Sequence, residues 1–249
     1  MIIESLLDTD LYKFTMMQCV LHQFPSAHVE YRFRCRNEGI DLLPYKDEIN
    51  AEIDHLCSLR FKEDELEYLK ALRFIKEDFV DFLSLFQLKR KYITVEEKDG
   101  LLDISIKGPW LHTILFEIPV LAIVNEVYFR HVAAGIDKTE GRRRLMRKIE
   151  MVKAEPDNEL ISISDFGTRR RFSREWQAEV IQTLKAQLPE QFAGTSNVHY
   201  AKEMGLLPWV RWRMNIFKPV RRWVRACVIL KPTLLKCGRR NTVVTWGSR

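Results

Sequence analysis

An α+β domain followed by the opening units of an incomplete α/β barrel is the fold class this sequence predicts, on three observations. The first half mixes helices with strand-like alternation: Tyr31, Phe33 and Cys35 alternate, and Tyr92 to Glu96 and Leu102 to Ile106 flank the turn signal Lys98-Asp99-Gly100. From Leu160 the order becomes strand (160–164), helix (173–187) and short strand (Phe192 to Thr195), which is the rhythm of β/α units on a parallel sheet. A chain of 249 residues with 46% hydrophobic content can bury one large core or two small ones.

Taken in order, Thr9 or Asp10 can cap a first helix whose apolar face is Leu11, Phe14, Met17, Val20, Leu21 and Phe24. The strand through Tyr31 follows, and 61–89 reads as charged helix. After the hairpin, Leu111 to Val132 is a long apolar helix interrupted at Pro119, where a backbone donor is missing. Arg142 to Val152 is a further helix burying Leu145, Ile149 and Val152. Ser173 is placed to cap the helix carrying Trp176, Val180, Ile181 and Leu184. The expected division is 1–135 for the α+β domain, 136–208 for the first β/α units, and 209–249 for a basic tail expected to be disordered.

Charge sets that tail apart. The chain carries a net +6, yet residues 1–208 hold 29 Lys+Arg against 34 Asp+Glu, while 209–249 hold 11 Lys+Arg and no acid. Four of the six tryptophans (Trp209, Trp212, Trp223, Trp246) lie there too. Basic residues interleaved with aromatics suit single-stranded nucleic acid, so a nucleic-acid-binding protein using the tail is one reading. Sequence never selected as protein is the other. No apolar run is expected to reach membrane-spanning length, the N-terminus lacks a signal-peptide layout, and the five cysteines show no metal spacing. Free thiols in a cytoplasmic protein with no membrane association are the expectation.

The densest functional signal is Ile163 to Ser173, Ile-Ser-Asp-Phe-Gly-Thr-Arg-Arg-Arg-Phe-Ser. A glycine turn lets backbone approach a ligand, guanidinium forks grip oxyanions, and a following helix N-terminus adds partial positive charge. A solvated basic loop is the plain alternative for an Arg triplet. This motif, the later Gly194-Thr-Ser-Asn-Val, the opening Leu7-Asp-Thr-Asp-Leu-Tyr-Lys-Phe-Thr-Met and Trp110-Leu-His-Thr-Ile-Leu-Phe-Glu-Ile-Pro together resemble the nicotinate phosphoribosyltransferase family, in the family's order. The resemblance runs from about Leu6 to Pro208 and stops there.

The resemblance implies a type II phosphoribosyltransferase-like barrel and a reaction in which the ring nitrogen of nicotinate displaces pyrophosphate from phosphoribosyl pyrophosphate. It implies nicotinate mononucleotide as product for NAD salvage, Mg²⁺ at the leaving group and ATP as co-substrate. Arg169 is expected to contact phosphate, with Arg171 as a second candidate and Arg170 less certain, since adjacent side chains on a turn diverge. Phe166 and Tyr12 are expected to stack on the two faces of the pyridine ring, Tyr12 from the neighbouring subunit of a homodimer. Thr195 and Ser196 are expected at the ligand from their strand end, Ser196 favouring an acidic pyridine over nicotinamide. A related nicotinamide or quinolinate enzyme is the alternative within this chemistry.

No catalytic residue is assigned. The family's ATP coupling uses a phosphorylated histidine in Gly-Thr-x-Ala-His-Glu, and His199 does not stand in that motif. Read in another frame, the codons after Pro208 force Gly at Trp209/Val210, Glu at Met214/Asn215, and Gly at Trp223/Val224 and Trp246/Gly247. Permitted choices around them spell the family's continuation, with the histidine arising where the Arg213 and Met214 codons overlap. A one-nucleotide frameshift after Pro208, leaving a truncated and inactive product, is the expectation.

Overall fold

The computed structural model describes residues 1–33, 35, 39–208 and 242–246; expectations for 209–241 and 247–249 fall outside them. Helix α1 (Leu11–Gln23) opens the fold and buries Leu11, Phe14, Met17 and Val20, the predicted face. Asp10 stands at its N-cap position, but its side chain makes no cap hydrogen bond. The reason is that its carboxylate accepts a bond from Ser196, 186 residues away.

Strand β1 (His28–Phe33) follows, ending before Cys35. Helices α2 (Lys46–Ser58), α3 (Glu63–Lys70) and α4 (Glu77–Ser84) come next, so the charged stretch 61–89 is two short helices rather than one. Strands β2 (Ile93–Lys98) and β3 (Leu101–Pro109) form the expected antiparallel hairpin. Its turn places Asp99 at φ 54° and Gly100 at φ 74°, the left-handed pair that a two-residue hairpin demands.

The short helix α5 (Trp110–Thr113) and a 3-10 turn at Ile114–Phe116 lead into α6 (Glu117–Val132). The irregularity predicted at Pro119 thus lies just upstream, because proline is tolerated in a helix's first turn, where its missing donor costs nothing. Trp110–Val132 is 23 residues long with mean hydropathy 1.4, long and apolar enough to cross a bilayer by length and composition, which corrects the sequence expectation. However, 78% of its most apolar window is buried inside the protein, where it is the central core helix.

Four strands form a sheet in the order β2-β3-β1-β6, where β6 (Thr242–Trp246) runs parallel to β1. These five residues of the expected disordered tail are therefore an edge strand. The run Thr-Val-Val-Thr-Trp has the β-branched and aromatic composition that pleated pairing favours, and β1 offers an open edge.

Helix α7 (Thr139–Ala154), strand β4 (Ile163–Asp165), α8 (Arg174–Gln187), strand β5 (Phe192–Thr195) and α9 (Val198–Glu203) complete the described chain. β4 and β5 are parallel, as a β/α unit requires. β4 is shorter than predicted because it has one partner, which matches it only from Ile163 to Asp165. Ser173 caps α8 by accepting from the amide of Trp176 at 3.1 Å. Trp176 lies so close to Gly141 of α7 that a Cβ there would meet its ring at 2.9 Å, so Gly141 is what lets α7 and α8 touch.

Two cores result. The larger gathers the N-terminal segment, α1, the four-stranded sheet and α6; the smaller packs Ile149, Ile181, Leu184, Leu188, Phe192 and Tyr200 between α7, α8 and β5. Leu145 and Val152, predicted as buried, pack half-buried against the latter. Cys19 and Cys57 are free thiols, and burial pushes the Cys57 thiol up to about 11, which keeps it protonated and unreactive.

A candidate active site at the strand ends

The carboxyl ends of β4 and β5 come together with the segment that leads into α1. Backbone bonds make the seam: Leu11 N donates to Ser196 O at 2.8 Å, Val198 N to Thr9 O at 3.0 Å and His199 N to Leu7 O at 3.0 Å. Three motifs far apart in sequence therefore meet where α/β folds place ligands.

A buried polar network fixes their geometry. Asp8 is 1% exposed and its Oδ1 accepts from Arg171 Nη1 at 2.9 Å and from Asn197 Nδ2 at 2.7 Å. Arg171 also donates to the Ile2 carbonyl at 3.0 Å, and its Nε lies 3.3 Å from Glu126 Oε2. Asn197 reaches Thr168 Oγ1 at 3.0 Å, Gln177 bridges Thr168 and Asp165, and Thr195 Oγ1 donates to Asp165 Oδ2 at 2.7 Å. Each buried charge here has an opposite charge or a donor facing it, as burial demands.

These contacts correct several expectations. Arg171, a candidate phosphate contact, is 4% exposed, and its guanidinium is committed to Asp8 and Glu126. Thr195 is fully buried and its hydroxyl both donates to Asp165 and accepts from the Asn197 amide, so it stands behind the site. The N-terminus of α8, expected to cradle an anion, is already filled: Glu126 Oε2 accepts from the Arg174 amide at 2.9 Å and Ser173 from Trp176. Burial raises the Glu126 pKa, and the charge of Arg171 opposes that rise. His199 is half-buried against Tyr200 and its amide belongs to the Leu7 seam.

Four residues around these strand ends, Phe166, Arg169, Arg170 and Tyr12, keep wholly or partly exposed side chains. Phe166 is 38% exposed at the end of β4, unusual for a phenylalanine in a folded strand end. Arg170 is exposed and Arg169 half-buried, on a 3-10 turn (Thr168–Arg170) that Asn125 pins to α6 by donating to the Arg169 carbonyl at 2.9 Å. The Arg169 guanidinium has no hydrogen bond or ion pair among the described residues. Its charge nonetheless reaches Asp10 and Tyr12, lowering both their pKa values against larger opposing effects of burial.

Tyr12 is half-buried. Burial, then the charges of Glu117 and Asp10, hold its phenol far above the ordinary range, so it stays neutral. Ser196 is 1% exposed and donates to Asp10 Oδ1 at 2.7 Å; burial raises the Asp10 pKa, with the Ser196 bond opposing. Thus Tyr12, Arg169 and Ser196 are brought together within one chain around Asp10, while Arg171 and Thr195 serve as the frame.

Sequence reasoning missed Asp8, Asp10, Asn197, Gln177 and Glu126 as working residues. Asp8, Asp10 and Asn197 sat inside the motifs already singled out, and a buried-acid reading of Leu7-Asp-Thr-Asp could have found the first two. Glu126 and Gln177 carry no local signal.

Gly194 closes the site from behind. Its φ is +130°, and a Cβ at this position would lie only 2.6 Å from the Leu207 carbonyl, which leaves no room for a side chain. Gly194→Ala is therefore expected to push β5 off the segment ending at Pro208, costing about 2–4 kcal/mol by strain and backbone clash together. Chemical denaturation checks this, and a change under 1 kcal/mol (roughly the cost of an ordinary surface substitution) would show that the segment gives way.

Among the described residues no cluster of three or more His, Cys, Asp or Glu could hold a metal ion. The nearby acids are already spoken for, Asp165 by Gln177 and Thr195 and Asp8 by Arg171 and Asn197. The residues present do not make a protein cage for Mg²⁺, and no step is derived through one.

Comparison with known proteins points to one family. The profile of the nicotinate phosphoribosyltransferase N-terminal domain matches residues 7–125, and that of the nicotinate phosphoribosyltransferase family matches 161–221. A nicotinate phosphoribosyltransferase of Cupriavidus necator is 58% identical over 237 residues, covering 94% of this chain and 58% of the relative. One from Burkholderia mallei is 56% identical with the same coverage. The crystal structure of nicotinate phosphoribosyltransferase from Vibrio cholerae superposes with a TM-score of 0.79 at 37% identity, over 84% of this chain and 50% of that one. The chain thus spans a little over half the length of the curated relatives it matches. Since 94% of 249 residues is about 234, the matched span runs past Pro208, where the sequence alone placed the end of the likeness.

Proposed function

We propose, from the premise that the chain belongs to the nicotinate phosphoribosyltransferase family, that its strand-end site binds nicotinate and phosphoribosyl pyrophosphate and contributes to making nicotinate mononucleotide. The observation that carries this reading is the meeting of Tyr12, Arg169 and Ser196 around Asp10, beside the exposed ring of Phe166. A flat anionic ring needs apolar faces and a cation, and a pyrophosphate leaving group needs a guanidinium not already spent on a protein carboxylate. Arg169 has that freedom and Arg171 does not. The finer architecture, an incomplete α/β barrel begun by β4 and β5, is part of the same proposal.

Displacement at the anomeric carbon leaves a cationic ribose and a departing pyrophosphate. Arg169 would hold the developing negative charge, and Tyr12 and Phe166 would keep the pyridine nitrogen aimed at the carbon. Ser196 can read the substrate carboxylate only by exchanging its bond to Asp10, so discrimination is tied to that exchange. ATP and Mg²⁺ remain proposals of the family resemblance; the described residues contain no histidine in the phosphorylated motif, and Mg²⁺ would arrive on the pyrophosphate. Isothermal titration with nicotinate and nicotinamide tests the reading, with nicotinate expected to bind more tightly. Equal or reversed affinities would remove Ser196 as the discriminating group.

The resemblance implies a homodimer with Tyr12 acting across subunits. In the single chain Tyr12 already lies within charge range of its own Arg169, which favours a site closed within the chain. Mixing Tyr12→Ala with Arg169→Ala protein decides between them. Recovered ligand binding would place Tyr12 in its partner's site, and none would keep it in its own.

We also propose a one-nucleotide shift after the Pro208 codon as the origin of the acid-free tail. Sequencing the coding DNA there is expected to show a longer frame once one base is restored, whose product turns over both substrates. A frame that closes within a few codons would sink the idea.

A further inference from the structure

Lys13 is the residue that no motif assignment uses, although it is among the most deeply buried side chains, 2% exposed in the larger core. A buried ammonium is expensive unless paired, and its partner is Glu117, 104 residues away, at a hydrogen-bonded separation. Glu117 is the first residue of α6, where the helix dipole favours a carboxylate. The same ammonium lies 5.1 Å from the centre of the Tyr12 ring. Adjacent side chains on a helix point about 100° apart and do not meet unaided. Lys13 reaches its neighbour's ring because Glu117 pulls its stem across the start of α1.

We infer that Lys13, anchored by Glu117, is a positioning residue that locks the Tyr12 ring as one wall of the nicotinate site. The inference rests on the proposed role of Tyr12 but has a readout of its own. A cation over a ring face, desolvated and fixed at its far end, resists ring rotation and displacement. The ring is then already in place before a ligand arrives, so binding does not have to order it. Asp10, two residues before Tyr12, is fixed to Ser196, so the helix start is held on both sides: one bond to the residue that follows β5, one ion pair to α6.

The test uses the whole chain. Lys13→Met alone would leave the Glu117 carboxylate unpaired, so the informative protein is Lys13→Met combined with Glu117→Gln, which removes both charges and keeps the volume. It carries 3-fluorotyrosine, with the position-12 resonance assigned by its loss in Tyr12→Phe. That resonance is expected to move toward the solvent value and broaden, while melting changes little. Nicotinate affinity is expected to fall roughly tenfold with phosphoribosyl pyrophosphate affinity unchanged. Adding Tyr12→Ala to the pair should cost no more than Tyr12→Ala alone, because Lys13 acts through that ring. An unmoved fluorine resonance in the folded double variant, or losses that add in the triple variant, would overturn the inference. Should the parent protein fail to bind nicotinate, the function proposed above falls while the fluorine spectrum still decides the role of Lys13. If the double variant does not fold, Lys13→Arg takes its place. Because it keeps the cation over the ring, an unmoved resonance there supports the lock and a solvent-like one sinks it.

Discussion

Replacing Arg171 with alanine is expected to destabilise the protein by about 3–5 kcal/mol, because it removes the guanidinium that faces two buried carboxylates and leaves Asp8 with no cation. Asp8 is 1% exposed and Glu126 2%, and each faces the Arg171 guanidinium. With the guanidinium gone, Asp8 would retain only the amide of Asn197, and its Oδ2 has no partner even in the intact protein. Burial already raises the Glu126 pKa against the opposing charge of Arg171, so losing that charge would raise it further, and the loss should grow as pH rises from about 4 to 7. The sign follows from burial: Glu126 has a folded pKa above its unfolded value, so its neutral form is tolerated at low pH and its ionised form is penalised above. Urea melts at two pH values measure this. Arg171→Met, which keeps much of the volume, should lose nearly as much, and a small loss for either variant would show that water reaches Asp8.

Arg169→Ala should do the opposite, leaving the melt nearly unchanged while weakening phosphoribosyl pyrophosphate by about 2–4 kcal/mol, the cost of removing charge-assisted bonds to an oxyanion. Arg169 is half-buried, makes no ion pair among the described residues, and is held in place through its backbone carbonyl by Asn125, a contact the substitution preserves. Calorimetric titration of the ligand gives the number directly. Because the contact is electrostatic, the gap between parent and variant should narrow as salt is raised. Binding that survives intact would move the phosphate contact to Arg170. Two neighbours of one Arg triplet would then differ in kind, one a structural cation and one a ligand cation, which sequence could not have sorted.

That contrast shows where legibility ended. Local rules carried the elements far: the Ser173 cap, the Asp99-Gly100 turn, the α1 face and the parallel placing of β4 and β5 all follow from spacing and residue type. What they could not supply is the destination of a side chain. The Asp10 cap looks ordinary on local grounds, yet its carboxylate is claimed by Ser196 from 186 residues away. Arg171 meets Asp8 across 163 positions and Asn197 meets it across 189. No periodicity encodes such partners. The likeness to a family identified which motifs matter, but it did not tell the residues that would touch a ligand from those that hold the frame.

The threading of the N-terminal segment over the ends of β4 and β5 also imposes an order of events on the ribosome. Asp8 and Asp10 are made well before Ser196 and Asn197, which satisfy them and emerge 186 and 189 positions later. At ordinary elongation rates that is a wait on the order of ten to forty seconds. Throughout it, helix α1 and the larger core can assemble, but two acids destined for burial must stay hydrated at the surface. The strand-end site thus cannot close until that late segment emerges, however early its carboxylates are made.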